Sequence, residues 1–161
     1  GAMLLAFIAL IAMLNGFIGG VSSLIGYENV TLQSLFGYVF QPLAWLIGVP
    51  WGAESQVAGS LIGQKLILNE FVAYADFVNY LKPEATVALS PKTIAIITFS
   101  LCGFANLSSI AILIGGLGGM APSRRGDVAR MGVKAVVAGT LSNLMSAAIA
   151  GLFIGIGGAV M

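Results

Sequence analysis

The chain has 161 residues, of which 58% are hydrophobic and only 8% charged, with a formal net charge of +1. Soluble domains carry about 25% charged residues, so this composition specifies an integral membrane protein and excludes a basic surface for nucleic acid. The single cysteine, Cys102, excludes an internal disulfide, and the absence of histidine leaves the usual zinc and Cys–His catalytic sites short of ligands or bases.

In chain order, residues 1–22 form an uncharged run that predicts a transmembrane helix, since about 20 apolar residues cross the hydrocarbon. The run has no basic leader, so it does not read as a cleavable signal. With no Met at position 1, an artificial remnant or the middle of a larger protein is expected. Residues 23–33, with Tyr27-Glu28-Asn29, read as an interfacial connection. Residues 34–80 begin apolar and reach Pro50-Trp51-Gly52, then mix Glu54, Gln56, Gln64, Lys65, Asn69, Glu70 and Asp76 with large apolar side chains. That mixture is too polar for lipid and too apolar for water. It predicts a re-entrant helical hairpin with its tip near 48–54, surrounded by protein or lining a cavity.

Residues 81–90 are a polar loop. Residues 91–120 have no charge beyond Lys92, yet Gly103, Asn106, Ser108 and Ser109 sit at their centre. A lipid-facing helix has no use for these, whereas a discontinuous helix broken near 102–109 presents free backbone and side-chain polar groups to a polar solute or ion. Residues 121–130 hold Arg124, Arg125 and Arg130 against Asp127 and read as a cytoplasmic basic loop. Residues 131–161 are the last transmembrane helix, with Lys134 near enough to its start to snorkel. With the arginines inside, the last helix runs outward, the broken helix inward, and the hairpin enters from outside.

Glu70, in Leu66-Ile67-Leu68-Asn69-Glu70-Phe71-Val72, is an ionisable group flanked by apolar residues and a candidate site residue. Its carboxylate only accepts hydrogen bonds, which suits a hydroxylated ligand. The competing reading is an interfacial glutamate, or one paired structurally with Lys65 or Lys92. Asn106 and Ser109, at i and i+3, share a face that can donate and accept. For Ser108, and for Ser142 and Asn143 in the last helix, helix–helix packing is the favoured reading. Phe104 either stacks on a flat ligand or simply packs. No histidine base, Gly-x-Ser-x-Gly elbow or phosphate loop is present, so an enzyme is not expected.

The blocks Gly103-Phe104-Ala105-Asn106-Leu107-Ser108-Ser109, Gly115-Gly116-Leu117-Gly118 and Ala121-Pro122 with Arg124-Arg125-Gly126-Asp127 resemble the signature of the concentrative nucleoside transporter family. Gly139-Thr140-Leu141-Ser142-Asn143, Asn69-Glu70-Phe71-Val72-Ala73-Tyr74 and Gly48-Val49-Pro50-Trp51 continue the match in order. The resemblance implies an all-α membrane protein that is one half, the C-terminal half, of an inverted-repeat transporter. It implies that Glu70, Asn106 and Ser109 bind ribose and that Phe104 contacts the base. It further implies a homotrimer in the inner membrane that imports a nucleoside such as uridine by symport with sodium, through elevator-type movement of a transport domain. The sodium ligands are then expected in the N-terminal half, and no metal ligand, other cofactor or nucleic-acid partner is assigned to this chain. A passive channel for small polar solutes and a non-transporting packing or assembly subunit are the competing functions. Helix break and Glu70 argue against the packing subunit, and only the resemblance separates transporter from channel.

Overall fold

Four helices in this chain start with the same device: a small polar side chain accepts a backbone N–H that the first turn leaves unpaired. In the computed structural model, which describes residues 2–28 and 30–158, these caps are Thr31, Asn69, Ser90 and Asn106. Among the described residues the elements are α1 (Ala2–Leu24), α2 (Leu32–Leu46), α3 (Ala53–Ile67), α4 (Glu70–Tyr80), α5 (Pro91–Leu101), α6 (Leu107–Met120), a 3-10 turn (Pro122–Arg124) and α7 (Arg125–Gly158). Gly1, Asn29 and residues 159–161, assigned above to the first helix, the connection and the last helix, lie outside the described residues.

The tightest packing joins α2 and α3. Gly59 and Gly63, four residues apart on α3, let the two backbones approach. A Cβ on Gly59 would lie 2.7 Å from the Gln41 N and 2.8 Å from the Phe40 C, and one on Gly63 would lie 2.7 Å from the Phe36 Cβ. Residues 47–52 close this antiparallel pair, with Gly48 and Gly52 at φ +105° and +135°. Gln41 Nε2 ties the turn down by donating to the Gly52 carbonyl and the Ser55 hydroxyl at 3.2 and 3.1 Å. Because the atoms facing Gly59 are backbone, Gly59→Val cannot be absorbed by a rotamer change. It is expected to cost about 1–3 kcal/mol, measured as a lowered melting temperature of the full-length protein in detergent. An unchanged melting temperature would contradict this packing.

A second reversal follows at Leu68–Asn69. Gln64 Nε2 donates to the Asp76 carboxylate at 2.7 Å, a contact impossible unless α4 folds back along α3. The chain from 34 to 80 therefore turns twice, where the sequence predicts one hairpin turning near 48–54. That first turn lies at the polar-loop end of the molecule, because Glu54 Oε2 accepts from both the backbone N–H and the hydroxyl of Ser90, at 3.0 and 2.8 Å. Glu70 belongs to the other turn.

The apolar run 91–120 is two helices, α5 and α6, interrupted at 102–106. Both pack antiparallel on α7, which runs uninterrupted for 34 residues. Close approaches at Gly155 to Lys92, Gly151 to Ile96, Gly139 to Ala105 and Gly132 to Ile110 keep one register along both helices. The basic segment 121–130, expected as a loop, is mostly helical: the 3-10 turn leads into α7, whose start carries Asp127 paired with Arg124 at 2.7 Å. Nothing after Pro122 stops a helix, and Asp127 favours its positive N-terminal end.

The core lies where α3, α5 and α7 meet. It is built on Ala58, Leu61, Ile96, Ile97, Leu101 and Ala147, with Phe77 of α4 alongside. α1 attaches through Ile11 against Leu68 and Val72, and through Asn15, whose amide donates to Gln33 at 2.9 Å and accepts from the Leu32 N–H at 2.7 Å. Phe17, Met13 and Val21 of α1, and Val137, Leu141, Met145 and Phe153 of α7, are exposed large apolar side chains. Such surface suits lipid or neighbouring protein. The stretch Pro122–Gly157 is long and apolar enough to cross a membrane.

Candidate functional site

Two helix N-termini meet at the break. Asn69 caps α4 by accepting the Val72 N–H at 3.0 Å, which places Glu70 in the first turn. Asn106 caps α6 by accepting the Ser109 N–H at 2.9 Å. Between these ends, Asn106 Nδ2 donates to Glu70 Oε2 at 2.9 Å. Both residues are buried, Glu70 at 8% and Asn106 at 2% exposure. Helix N-termini carry partial positive charge, so both ends present electron-poor N–H groups toward the Glu70 side-chain oxygens.

Asn106 is the hub. Its Oδ1 also accepts from the hydroxyls of Ser108 and Ser109, at 2.7 and 2.9 Å. Ser109 Oγ lies within hydrogen-bonding reach of the Phe104 carbonyl too. With one hydroxyl hydrogen, Ser109 must choose between two acceptors, which leaves it free to reorient toward a ligand. The structure therefore brings Glu70, Asn106 and Ser109 into one hydrogen-bonded chain. Phe104 joins through its main chain, while the residue as a whole is 74% exposed. Ser108 belongs to the same cluster.

Gly103 is required behind the break. A Cβ there would sit 2.0 Å from the Asn143 Nδ2. Asn143 Nδ2 and Thr140 Oγ1 are buried without partners among the described residues, so these α7 groups back the interruption as well as packing on it. Two residues of this region escape sequence reasoning. Tyr74 donates from its hydroxyl to the Thr98 carbonyl at 3.0 Å, tying α4 to α5. Lys65, considered from sequence only as a possible partner of Glu70, proves almost wholly buried at 2% exposure. Neither carries a local signal, since lysine is ordinarily exposed and tyrosine is intermediate.

A family model described as the C-terminus of Na+ dependent nucleoside transporters matches residues 1–151. The chain belongs to the concentrative nucleoside transporter family, as its C-terminal half. An uncharacterised transporter of Haemophilus influenzae is 65% identical over 100% of this chain and 39% of its own length. The nucleoside permease NupC of Helicobacter pylori is 51% identical over 97% of this chain and 37% of its own length. The sodium/nucleoside cotransporter 1 of Sus scrofa is 35% identical over 94% of this chain and 25% of its own length. Among solved structures, CNTnw in an inward-facing substrate-bound state superposes with a TM-score of 0.92 at 68% identity, covering 97% of this chain and 37% of that one. This chain thus spans under two-fifths of these relatives, and the stretch shared with the family holds the whole Glu70–Asn106–Ser109 cluster.

Proposed function

We propose that this chain supplies the ribose-binding half of a sodium-coupled nucleoside symporter of the bacterial inner membrane. The observation that carries the reading is the Asn106–Glu70 hydrogen bond, which joins the capped start of α6 to the capped start of α4 within apolar helices. An intramembrane carboxylate held by a helix break is a substrate-site arrangement. Glu70 accepts from ribose hydroxyls, Asn106 and Ser109 donate and accept beside it, and the exposed Phe104 ring offers a face to the base. Two of the relatives, a nucleoside permease and a sodium/nucleoside cotransporter, support the cargo and the coupling ion.

In this reading α3 and α4 are the two arms of the re-entrant hairpin. Its tip is the Leu68–Asn69 reversal that carries Glu70, not the 47–52 turn, which stays with Ser90 at the aqueous end. α5 and α6 are one transmembrane helix broken at mid-membrane, and α1 is the scaffold helix. The full-length protein assembles as a homotrimer, takes its sodium ligands from the N-terminal half, and moves hairpins and broken helices together in an elevator step.

The test is labelled uridine uptake into proteoliposomes of the full-length transporter, with and without an inward sodium gradient. Concentrative uptake that needs the sodium gradient is expected. Accumulation driven by a proton gradient alone would replace the coupling ion. Non-saturating flux without a gradient would make the protein a channel, and absence of any flux would remove uridine as cargo.

A further inference from the structure

A cavity of about 220 Å³ lies between α1, α3 and α4, with Ile8, Ile11, Gln33, Gln64, Asp76 and Asn79 in its walls. None of the ribose-site residues proposed above lines it. Gln64 is buried, at 1% exposure. Both hydrogens of its Nε2 are engaged, one by the Asp76 carboxylate at 2.7 Å and one by the Ser60 hydroxyl at 3.2 Å. Those bonds fix the amide, because turned over its carbonyl oxygen would face the Asp76 oxygen. Gln64 Oε1 is left buried with no hydrogen-bond partner among the described residues. A planar amide keeps its oxygen beside its nitrogen, so Oε1 stays close to the carboxylate that Nε2 binds. Asp76 has no cationic partner either: both ion pairs among the described residues are made by Asp127. Lys65, next along α3, does not line the cavity. A carbonyl and a carboxylate that share a cavity without an opposite charge call for a cation, since charges removed from bulk water are paired or coordinate a metal.

We infer that this cavity is a sodium site within the chain, with Gln64 Oε1 and the second oxygen of Asp76 as its principal ligands. It is separate from the coupling-ion ligands, which the reading above assigns to the N-terminal half. The side-chain oxygens of Gln33 and Asn79 each accept one bond, from Asn15 and Lys82, and keep a lone pair for the ion. A set of oxygens alone suits a hard cation. One carboxylate balances one charge, whereas calcium sites gather several. Among monovalent cations sodium is the one on which the family depends, so the choice of sodium rests on that reading. A water takes about 30 Å³, and the cavity therefore has room for waters that complete the shell. The ion also fastens the hairpin. Ile8 and Ile11 belong to α1, Gln33 is tied to Asn15 of α1, and Gln64 and Asp76 belong to the two arms α3 and α4.

The test is equilibrium binding of radiolabelled sodium to the full-length transporter in detergent, at constant ionic strength held with choline chloride. Asp76→Asn is the discriminating variant, because its amide oxygen still accepts from Gln64 Nε2 while the negative charge is gone. The parent should bind one sodium ion more per protomer than Asp76→Asn, and Gln64→Met should lose the same equivalent. Thallium(I), a heavy stand-in for a monovalent cation, should give an anomalous scattering peak between Gln64 and Asp76 in crystals of the parent. That readout needs no variant to fold. Equal sodium binding by the parent and Asp76→Asn, or the absence of a thallium peak in this cavity, would overturn the inference and leave the cavity to water. Sodium-independent uridine uptake would instead undo the coupling proposed above without altering the difference in bound sodium, so the two readings fail separately.

Discussion

Glu70→Gln in the full-length transporter is expected to weaken nucleoside binding by about 1.5–3 kcal/mol, the worth of a hydrogen bond to a charged group. That is about a 10- to 150-fold rise in uridine KM, with the protein still folded. The geometry explains why so small a change acts so strongly. Asn106 Oδ1 is held by the Ser109 N–H and the Ser108 hydroxyl, so its Nδ2 must face residue 70. A glutamine there keeps the bond only by turning its own oxygen to Asn106, and its NH2 then points where the carboxylate offered an acceptor. The cap survives while the chemistry offered to ribose hydroxyls reverses from acceptor to donor. Uptake kinetics over a wide uridine range check this, and an unchanged KM would take Glu70 out of the site.

Asn106 should be the most sensitive position in the chain. Asn106→Ala removes an N-cap, typically worth about 1 kcal/mol, and a charge-assisted hydrogen bond worth about 1.5–3 kcal/mol, and it leaves Glu70 buried without that partner. We expect loss of saturable uptake and a clearly lowered melting temperature. Asn106→Asp separates the two roles, because aspartate caps helices as well as asparagine does. A residue that served only as a cap would tolerate it. Here it would set a second carboxylate against Glu70, where the present contact is 2.9 Å, and like charges that close disfavour joint ionisation. Uptake should fail in both variants while the start of α6 survives only in Asn106→Asp, read by amide hydrogen exchange at Ser109. Normal uptake in Asn106→Asp would reduce Asn106 to a helix cap.

What could be read from sequence tracks what is local. The break near 102–109 was legible because glycine, asparagine and serine have no reason to stand mid-way in an apolar run, and Glu70 because a carboxylate among leucines demands a partner. The reversal that places Glu70 was not legible. Pro50-Trp51-Gly52 is a far stronger turn signal than Leu68-Asn69, which has neither glycine nor proline. The fold-back shows itself only through the Gln64–Asp76 contact, whose partners stand twelve positions apart. The helical character of 121–130 was hidden by its charge, which reads as loop although Pro122 is a good helix starter. The burial of Lys65 is a tertiary fact, set by α2, α4 and α5 packing around α3, and no window of sequence contains it.

The uninterrupted length of α7 has a mechanical consequence. A gap in a rod is ordinarily a hinge, yet α5 and α6 are both keyed to one stiff helix through glycine contacts from Gly155 to Gly132. α7 acts as a splint across a fracture: the backbone stays interrupted at the break, but the two pieces cannot bend or slide independently without tearing those contacts. In the proposed transport cycle the assembly carries Glu70, Asn106 and Ser109 as a preset tool. On that reading the cost of shaping the proposed ligand site is met once, at folding, and not again in each turnover.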